Sequence, residues 1–297
     1  MSRKKASDFD RELLELFDHY VHGGLTRRAF LDRAARVAGS GAAAAAILEA
    51  LSPDYARAQQ VPDGDPRVET EYVEYPSPQG HETVRAYMAR PRDAEGPLPA
   101  VVVVHENRGL TPYIEDVARR LATDGFLAFA PDGLTPVGGY PGNDDEGREL
   151  QAQLDRDRLV EDFVAAGRYL LDHPDSTGRV GVVGFCFGGA VANTMAVRIP
   201  ELRAAVPFYG TQPPAEEVDR IHASLLIHYA EDDERVNAGW PEYEEALQAH
   251  GVDYTVYFYE GTVHAFHNDS TPRYDEEAAR LAWERTIEFF RRTLGEP

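Results

Sequence analysis

The sequence predicts an α/β protein in which a mostly parallel, doubly wound sheet lies between two layers of helices. Three features predict this class: short apolar runs, amphipathic stretches between them, and an opening pair of segments in which polar and apolar residues alternate. Parallel strands that are buried on both faces are nearly continuous in apolar residues. Their alternation with helices is typical of a three-layer sandwich.

The elements follow in order from these patterns. Residues 68–75 and 82–89 alternate in polarity around a Pro- and Gly-containing turn, which predicts an antiparallel N-terminal hairpin. Six apolar runs then predict the parallel strands: 99–104, 126–130, 179–184, 203–208, 223–229 and 253–259. Amphipathic or apolar stretches predict four helices between and after them: 114–121, 159–170, 190–198 and 275–294. No internal repeat or low-complexity linker divides residues 62–297, so we expect one domain there.

Residues 1–58 have the features of an export leader. Residues 26–31 (TRRAFL) resemble the twin-arginine motif, and the uncharged stretch 37–48 is too short to span a membrane. Ala56-Arg57-Ala58 offers a cleavage site before Gln59. The prediction is export to the periplasm or the extracellular space, with the twin-arginine translocase as a partner.

A second interpretation of the same residues stays open. Phe9, Leu13 and Phe17 are helically spaced, so residues 8–21 could form an amphipathic helix. In that case residues 1–58 would be a permanent helical extension of a cytoplasmic protein whose leader is not cleaved.

The composition restricts the partners. The chain has 297 residues, with 51 Asp and Glu against 30 Lys and Arg, and a net charge of −21. Nucleic acid and anionic membrane would be repelled, so neither is expected as a partner. The lysines are Lys4 and Lys5 alone, and the remaining basic residues are arginines. This surface indicates either adaptation to high salt or genomic GC bias, and the sequence does not separate the two.

The single cysteine lies in a motif typical of a nucleophile. Residues 184–189 (GFCFGG) follow a predicted strand and precede a predicted helix, as in the G-x-nucleophile-x-G elbow. The turn is tight, so its flanking positions favour glycine. Cys186 would then lie at a helix N-terminus, which favours the thiolate. The alternative, an inert core thiol, is disfavoured by the elbow.

A base and an orienting acid are expected after later strands, in the order nucleophile, acid, histidine. Asp232 and Asp233 follow the strand at 223–229, and His264 and His267 follow the strand at 253–259. Spacing alone does not choose among the adjacent acids after this strand, which include Asp232 and Asp233, or between the two histidines. Glu106 follows the first parallel strand. Spacing alone does not show whether it is functional or an ordinary loop carboxylate.

These motifs together resemble the dienelactone hydrolase family of α/β-hydrolases over residues 65–295. The family's G-x-C-x-G-G elbow matches residues 184–189, and its acid and histidine motifs select Asp233 and His264. The resemblance implies the α/β-hydrolase fold. It also implies that Glu106 contacts the resting thiol and takes its proton when substrate displaces it.

The activity implied by the resemblance is hydrolysis of a small ester or lactone through a thioester acyl-enzyme. Cys186 would attack, with His264 oriented by Asp233. The backbone N–H groups of Phe187 and Asn107 would hold the oxyanion. No cofactor is expected. No metal is expected either, because the ten histidines form no ligand-spaced cluster in the sequence.

The substrate is less defined. Family members acting on dienelactone bind its carboxylate with two arginines, and Arg148 matches the first. The second position, four residues after the histidine, holds Asn268 here. Arg273 could substitute if the loop at 268–272 turns it inward. We therefore expect Arg148 to contact the substrate. The sequence does not identify the second arginine of the pair.

Two other functions are compatible with the sequence. One is a non-catalytic ligand-binding or structural protein that retains the α/β-hydrolase fold. The intact set of Cys186, Asp233 and His264 argues against this function. The other is a thiol redox protein, which would need a resolving cysteine that the chain lacks. The oligomeric state is not predicted.

Overall fold

The computed structural model describes residues 4–295, so residues 1–3 and 296–297 at the ends of the two predicted segments lie outside the described residues. The strands are β1 (Val68–Ser77), β2 (Glu82–Pro91), β3 (Leu98–Val104), β4 (Leu127–Pro131), β5 (Ser176–Phe185), β6 (Ala204–Phe208), β7 (Ser224–Asp232) and β8 (Tyr254–Val263). The helices are α1 (Arg11–Val21), α2 (Arg27–Ala38), α3 (Gly41–Leu51), α4 (Pro112–Thr123), α5 (Asp144–Gln153), α6 (Arg156–Leu171), α7 (Phe187–Arg198), α8 (Glu234–Asn237), α9 (Trp240–His250) and α10 (Glu276–Leu294).

The eight strands form one sheet in the order β1-β2-β4-β3-β5-β6-β7-β8. β1 and β2 form the antiparallel hairpin, and β2 also pairs antiparallel with β4. From β4 to β8 all neighbouring strands are parallel. The predicted fold class is confirmed: the sheet is mostly parallel, opens with an antiparallel hairpin and has helices around it.

Consecutive residues of the central strands point to opposite faces of the sheet. Val102 of β3 packs with the cluster that contains α6, α7 and α9, whereas Val101 and Val103 pack with the cluster that contains α4 and α10. All seven residues of β3 are buried. Burial on both faces explains why this strand is a continuous apolar run.

Besides the four-residue α8, two helices of the main domain have no counterpart among the predicted elements. α5 begins with three acidic residues and has only Gly147 buried, so its apolar periodicity is weak. α9 begins with Trp240 and Pro241 and buries its apolar residues against the chain after β6. Both form on the domain surface, where the apolar periodicity used to find helices is least informative.

Residues 10–51 form a compact group of three helices. Asp10, Thr26 and Ser40 each cap a helix by accepting a backbone N–H in its first turn. The helices share their own core, which contains Phe17, Phe30 and other buried side chains. The amphipathic helix considered over residues 8–21 is present as α1.

This group, called here the N-terminal segment (residues 10–51), packs against the main domain. Arg11 forms an ion pair with Asp232 at 3.1 Å. The side chain of Asn107 donates to the carbonyl of Val21 at 2.5 Å. These contacts place the end of α1 at the carboxyl ends of the parallel strands, where α/β sheets bind their ligands.

Among residues 4–295, no single helix is long and apolar enough to cross a membrane. The pair Arg27–Ala38 and Gly41–Leu51 reaches that length and composition together, with a bend of 113° between its members.

Candidate active site

The elbow lies where β5 meets α7. Cys186 has φ 56° and ψ −113°, a conformation that residues other than glycine rarely adopt. A Cβ atom at Gly184 would lie 1.9 Å from the carbonyl oxygen of Gly188, and one at Gly188 would lie 2.3 Å from that of Val104. The glycines therefore allow the close approach of backbones that presents Cys186 at the start of the helix.

His264 and Asp233 meet beside this elbow. The Nδ1 atom of His264, which follows β8, donates to Oδ2 of Asp233, which follows β7, at 2.5 Å. Asp232 is exposed and pairs with Arg11 instead. His267 is buried, and its Nδ1 lies 2.7 Å from the hydroxyl of Tyr113. The structure thus joins the acid and the histidine that the family motifs select.

A second histidine, which the sequence did not indicate, contacts the thiol. His22 lies at the C-terminal end of α1, and its Nε2 is 3.3 Å from Sγ of Cys186. Its Nδ1 donates to the carbonyl of Asp18 at 2.8 Å and lies 3.2 Å from the Asp18 carboxylate. The rings of His22 and His264 are perpendicular, with centroids 4.8 Å apart.

Sequence reasoning missed His22 because the residue stands 164 positions before Cys186, in a segment interpreted as a leader. The only local signal is the spacing of Asp18 and His22, four residues apart on one helix, which brings the two side chains together.

The electrostatics of the site favour the charged forms of its groups. Burial alone would raise the pKa of Cys186, but His22 and His264 outweigh burial and hold that pKa well below its usual value. Burial alone would lower the pKa of His264, yet the Asp233 carboxylate and the Cys186 thiolate raise it to about 10. The Cys186 thiolate also raises the pKa of His22 against the effect of burial.

Glu106 contacts Asn268 and Arg108 in this structure. Its Oε2 accepts from the side-chain amide of Asn268 at 2.9 Å and lies 3.6 Å from the guanidinium of Arg108. Within residues 4–295, the hydrogen-bond partner of the thiol is His22 and not Glu106. Asn268, at the expected position of an arginine, ties the buried carboxylate to the loop that follows His264.

The two residues expected to hold the oxyanion flank the elbow. Phe187 is the first residue of α7, so its N–H has no intrahelical acceptor. Asn107 follows the end of β3 and is fixed by its side-chain bond to Val21. Within the described part of the chain, neither backbone N–H makes a hydrogen bond.

A cavity of about 540 Å³ lies between the N-terminal segment and α5. Its lining includes His22, Asn107, Phe187 and Arg148, so it reaches the elbow. Arg148 contacts Asp145 and lies over the ring of Tyr20, 5.0 Å from its centroid. The expected arginine therefore faces a cavity beside the cysteine.

Arg273 is turned inward, as it must be if it takes the place of the second arginine that binds the substrate carboxylate in the family. Only 5% of it is exposed. Its guanidinium lies 3.6 Å from Asp18 and 5.3 Å from the ring centroid of Phe17. In this structure it therefore binds α1.

The site also contains side chains of metal-binding types. The donor atoms of His22, Cys186 and His264 lie within 4.8 Å of one another, a grouping that sequence spacing did not indicate. The guanidinium of Arg235 lies 3.1 Å from Nε2 of His22, and its positive charge opposes a metal ion there. The contacts fit a cysteine activated by imidazoles better than a metal centre.

Two family models match parts of the chain. A family model described as "Dienelactone hydrolase family" matches residues 84–294, and one described as "YqhI-like" matches residues 1–38. The Escherichia coli protein "Putative hydrolase fragment YghX" is 62% identical over 112 residues, which are 38% of this chain and 96% of that sequence. A "Putative carboxymethylenebutenolidase" of Saccharolobus solfataricus is 31% identical over 247 residues, covering 70% of this chain and 94% of that sequence.

A similar solved structure is the "Putative Dienelactone Hydrolase" from Klebsiella pneumoniae. It superposes with a TM-score of 0.66 at 29% identity, over 75% of this chain and 98% of its own.

Proposed function

We propose that this chain, which belongs to the dienelactone hydrolase family, hydrolyses a small ester or lactone. Cys186 is the nucleophile of this proposal. The observation that carries the proposal is the strained elbow at Cys186 beside the hydrogen-bonded pair of His264 and Asp233. A nucleophile on a helix N-terminus, near a histidine oriented by a carboxylate, is the arrangement that acyl transfer needs.

The first half of the reaction forms a thioester. The Cys186 thiolate attacks the carbonyl carbon of the substrate, and the backbone N–H groups of Phe187 and Asn107 stabilise the oxyanion. The bond between the acyl carbon and the leaving oxygen then breaks. The leaving alkoxide takes the Nε2 proton of His264, so an alcohol or enol departs.

The second half uses water. Neutral His264 takes a proton from a water molecule, whose oxygen attacks the thioester carbon. The bond from carbon to sulfur breaks, the acid is released, and the thiolate and the imidazolium are restored. Against the effect of burial, Asp233 and the Cys186 thiolate together raise the pKa of His264 to about 10, so the imidazolium is present to donate its proton in the first half. Acylation removes the thiolate charge and lowers this pKa, so the neutral imidazole that accepts a proton from water becomes available in the second half.

The substrate binds in the cavity beside the elbow. Arg148 supports a substrate with a carboxylate or another anionic group, because it lies on the cavity wall, although Asp145 offsets part of its charge. Activated esters and enol esters suit the site better than ordinary lipid esters, since a cysteine nucleophile depends on a good leaving group.

The direct test is turnover of p-nitrophenyl acetate. We expect a burst of p-nitrophenol followed by steady turnover, and loss of both in Cys186→Ala, by about a thousandfold or more in kcat/KM. Iodoacetamide should inactivate the wild-type protein in the same way, because Cys186 is the only cysteine.

Two controls make the result decisive. Cys186→Ala treated with iodoacetamide reports any effect of the reagent on other groups, and circular dichroism verifies its fold. Full activity in Cys186→Ala would refute the proposal. Absence of turnover in the wild-type protein with a range of activated esters and lactones would favour a non-catalytic binding protein.

We also propose export by the twin-arginine route to the periplasm or the extracellular space. The proposal is supported by residues 26–31, which lie at the start of α2 with Thr26 as its cap. N-terminal sequencing of protein from the periplasmic and cytoplasmic fractions tests it. An intact chain found only in the cytoplasm would contradict export.

A further inference from the structure

We infer that His22 of the N-terminal segment is a second active-site histidine, which holds the Cys186 thiolate together with His264. The inference rests on the proposed function, since it concerns the same nucleophile, but it makes the N-terminal segment part of the active site. It applies to the chain that retains residues 1–58, because cleavage before Gln59 on export would remove His22. It assigns to His22 the contact with the resting thiol that the family resemblance assigned to Glu106.

The thiol lies near two histidines, each of which is paired with an aspartate. In one pair, Asp233 accepts from Nδ1 of His264 at 2.5 Å. In the other, Nδ1 of His22 donates to the Asp18 carbonyl at 2.8 Å and lies 3.2 Å from its carboxylate. A hydrogen bond from Nδ1–H leaves Nε2 of His22 directed at Sγ, 3.3 Å away.

Glu106 is engaged elsewhere. It accepts from Asn268 and lies beside Arg108, and the described residues show no hydrogen bond from it to the thiol. A thiolate in a buried site needs a donor or a positive charge within contact distance, because burial strongly disfavours an isolated charge. His22 meets that need in this chain.

The position of His22 is fixed by several independent contacts between α1 and the main domain. Asp18 lies 3.8 Å from the guanidinium of Arg235 and 3.6 Å from that of Arg273. Asn107, beside the elbow, donates to the carbonyl of Val21, the residue before His22. Contacts of Asp18 and Val21 with the main domain therefore hold His22 in position beside Cys186.

The charged and titratable groups that face this pair come from all the surrounding elements. They are Asp18 on α1, Arg235 on α8, His264 after β8, Arg273 after His264, and Tyr209 after β6. After burial, which opposes it, His22 is the largest influence that lowers the pKa of Cys186, ahead of His264. This order agrees with the direct contact.

The test is a titration of the thiol in the full-length protein without substrate. Thiolate absorbance near 240 nm and the rate of alkylation by iodoacetamide are followed against pH in wild type, His22→Ala and His19→Ala. We expect the midpoint to rise by about one pH unit or more in His22→Ala, because a charge-assisted hydrogen bond is lost. The exposed His19 on the same helix is the matched control, and its substitution should leave the midpoint unchanged.

A second variant covers the case in which His22→Ala does not fold. Asp18→Asn keeps the His22 ring and removes its carboxylate partner, so a smaller rise of the midpoint is expected. Turnover of p-nitrophenyl acetate should fall about tenfold in His22→Ala, in parallel with the thiolate.

An unchanged midpoint in folded His22→Ala would overturn the inference. So would a rise in turnover with an unchanged midpoint, which would mark the N-terminal segment as an inhibitory lid. The titration needs no substrate, so it remains informative if the protein proves to have no esterase activity. A failure of the proposed function would instead appear as Cys186→Ala with full turnover.

Discussion

Cys186 can carry a negative charge while only 8% exposed because positive and polar groups surround it. Donor atoms of His22 and His264 lie within 4.8 Å of its sulfur, and each imidazole contacts an aspartate. Burial of a single charge is costly, but a buried charge with hydrogen-bonded partners is tolerated. The site therefore depends on the complete set, and removal of one partner leaves another charge uncompensated.

The pKa of His264 leads to a prediction at this scale. Because its pKa in the folded protein is raised to about 10, above that of the unfolded chain, the proton on His264 stabilises the fold. This contribution is fully present below about pH 6.5 and is lost as the pH rises through about 10. Asp233→Asn removes a principal cause of the raised pKa. The variant should lose roughly 1–2 kcal/mol at pH 7, about 3–6 °C in Tm, and less at pH 10.

The measurement is Tm between pH 6 and pH 10 by differential scanning calorimetry for both proteins. Asp232→Asn is the control, because the neighbouring carboxylate is exposed and pairs with the exposed Arg11. Its Tm should follow the wild-type curve within a degree or so. Parallel curves for wild type and Asp233→Asn would show that the His264 proton does not stabilise the fold.

At the scale of elements, the join between β5 and α7 sets the geometry of the site. The positive φ of Cys186 turns the chain so sharply that Gly184 and Gly188 lie in contact. β3 lies beside β5, with Val104 opposite Gly184, so its carbonyl lies against the start of α7. The elbow is thus specified by the packing of two strands and a helix, and a side chain at either glycine has no space.

This packing predicts a large difference between two glycine substitutions. In Gly184→Ala the new Cβ would lie 1.9 Å from a backbone oxygen, so the elbow must shift. We expect a loss of about 3 kcal/mol or more in the free energy of unfolding. Gly41→Ala, in α3, meets no atom within 4 Å and should be neutral or stabilising by about 0.5 kcal/mol.

Urea unfolding of both variants measures the difference, and iodoacetamide alkylation of Cys186 reports the state of the elbow. Equal midpoints for the two variants would show that the elbow adapts without cost.

The elements also show which parts of the structure the sequence can predict. Apolar runs identified all six parallel strands, including the mostly unburied edge strand β8. Burial on both faces accounts for the pattern in an inner strand such as β3. α5 was missed because a surface helix of mostly polar residues shows little periodicity. The elbow motif predicted Cys186, and the family motifs predicted Asp233 and His264, which the structure brings into hydrogen-bond contact with each other. His22 could not be found in this way, since its role depends on how a separate group of helices docks.

At the scale of the whole molecule, two parts of different charge meet at the active site. Residues 1–58 contain nine basic and eight acidic residues, whereas residues 59–297 carry a net charge of −22. Arginine and aspartate pairs cross the boundary, among them Arg11 with Asp232 and Arg27 with Asp145. These pairs help to place α1, and through it His22, on an acidic domain.

This charge distribution predicts how salt affects stability. Repulsion among the excess carboxylates destabilises the fold and is screened by salt, whereas the exposed boundary pairs contribute only about 0–1 kcal/mol each and are screened too. The repulsion is the larger effect, so we expect Tm to rise by about 5 °C or more between roughly 0.05 M and 1 M NaCl. Potassium chloride at the same ionic strength is the control, and an equal rise identifies screening rather than binding of one ion. A Tm that is constant or falls with salt would contradict the prediction and favour GC bias over salt adaptation as the origin of the lysine-poor, acidic composition.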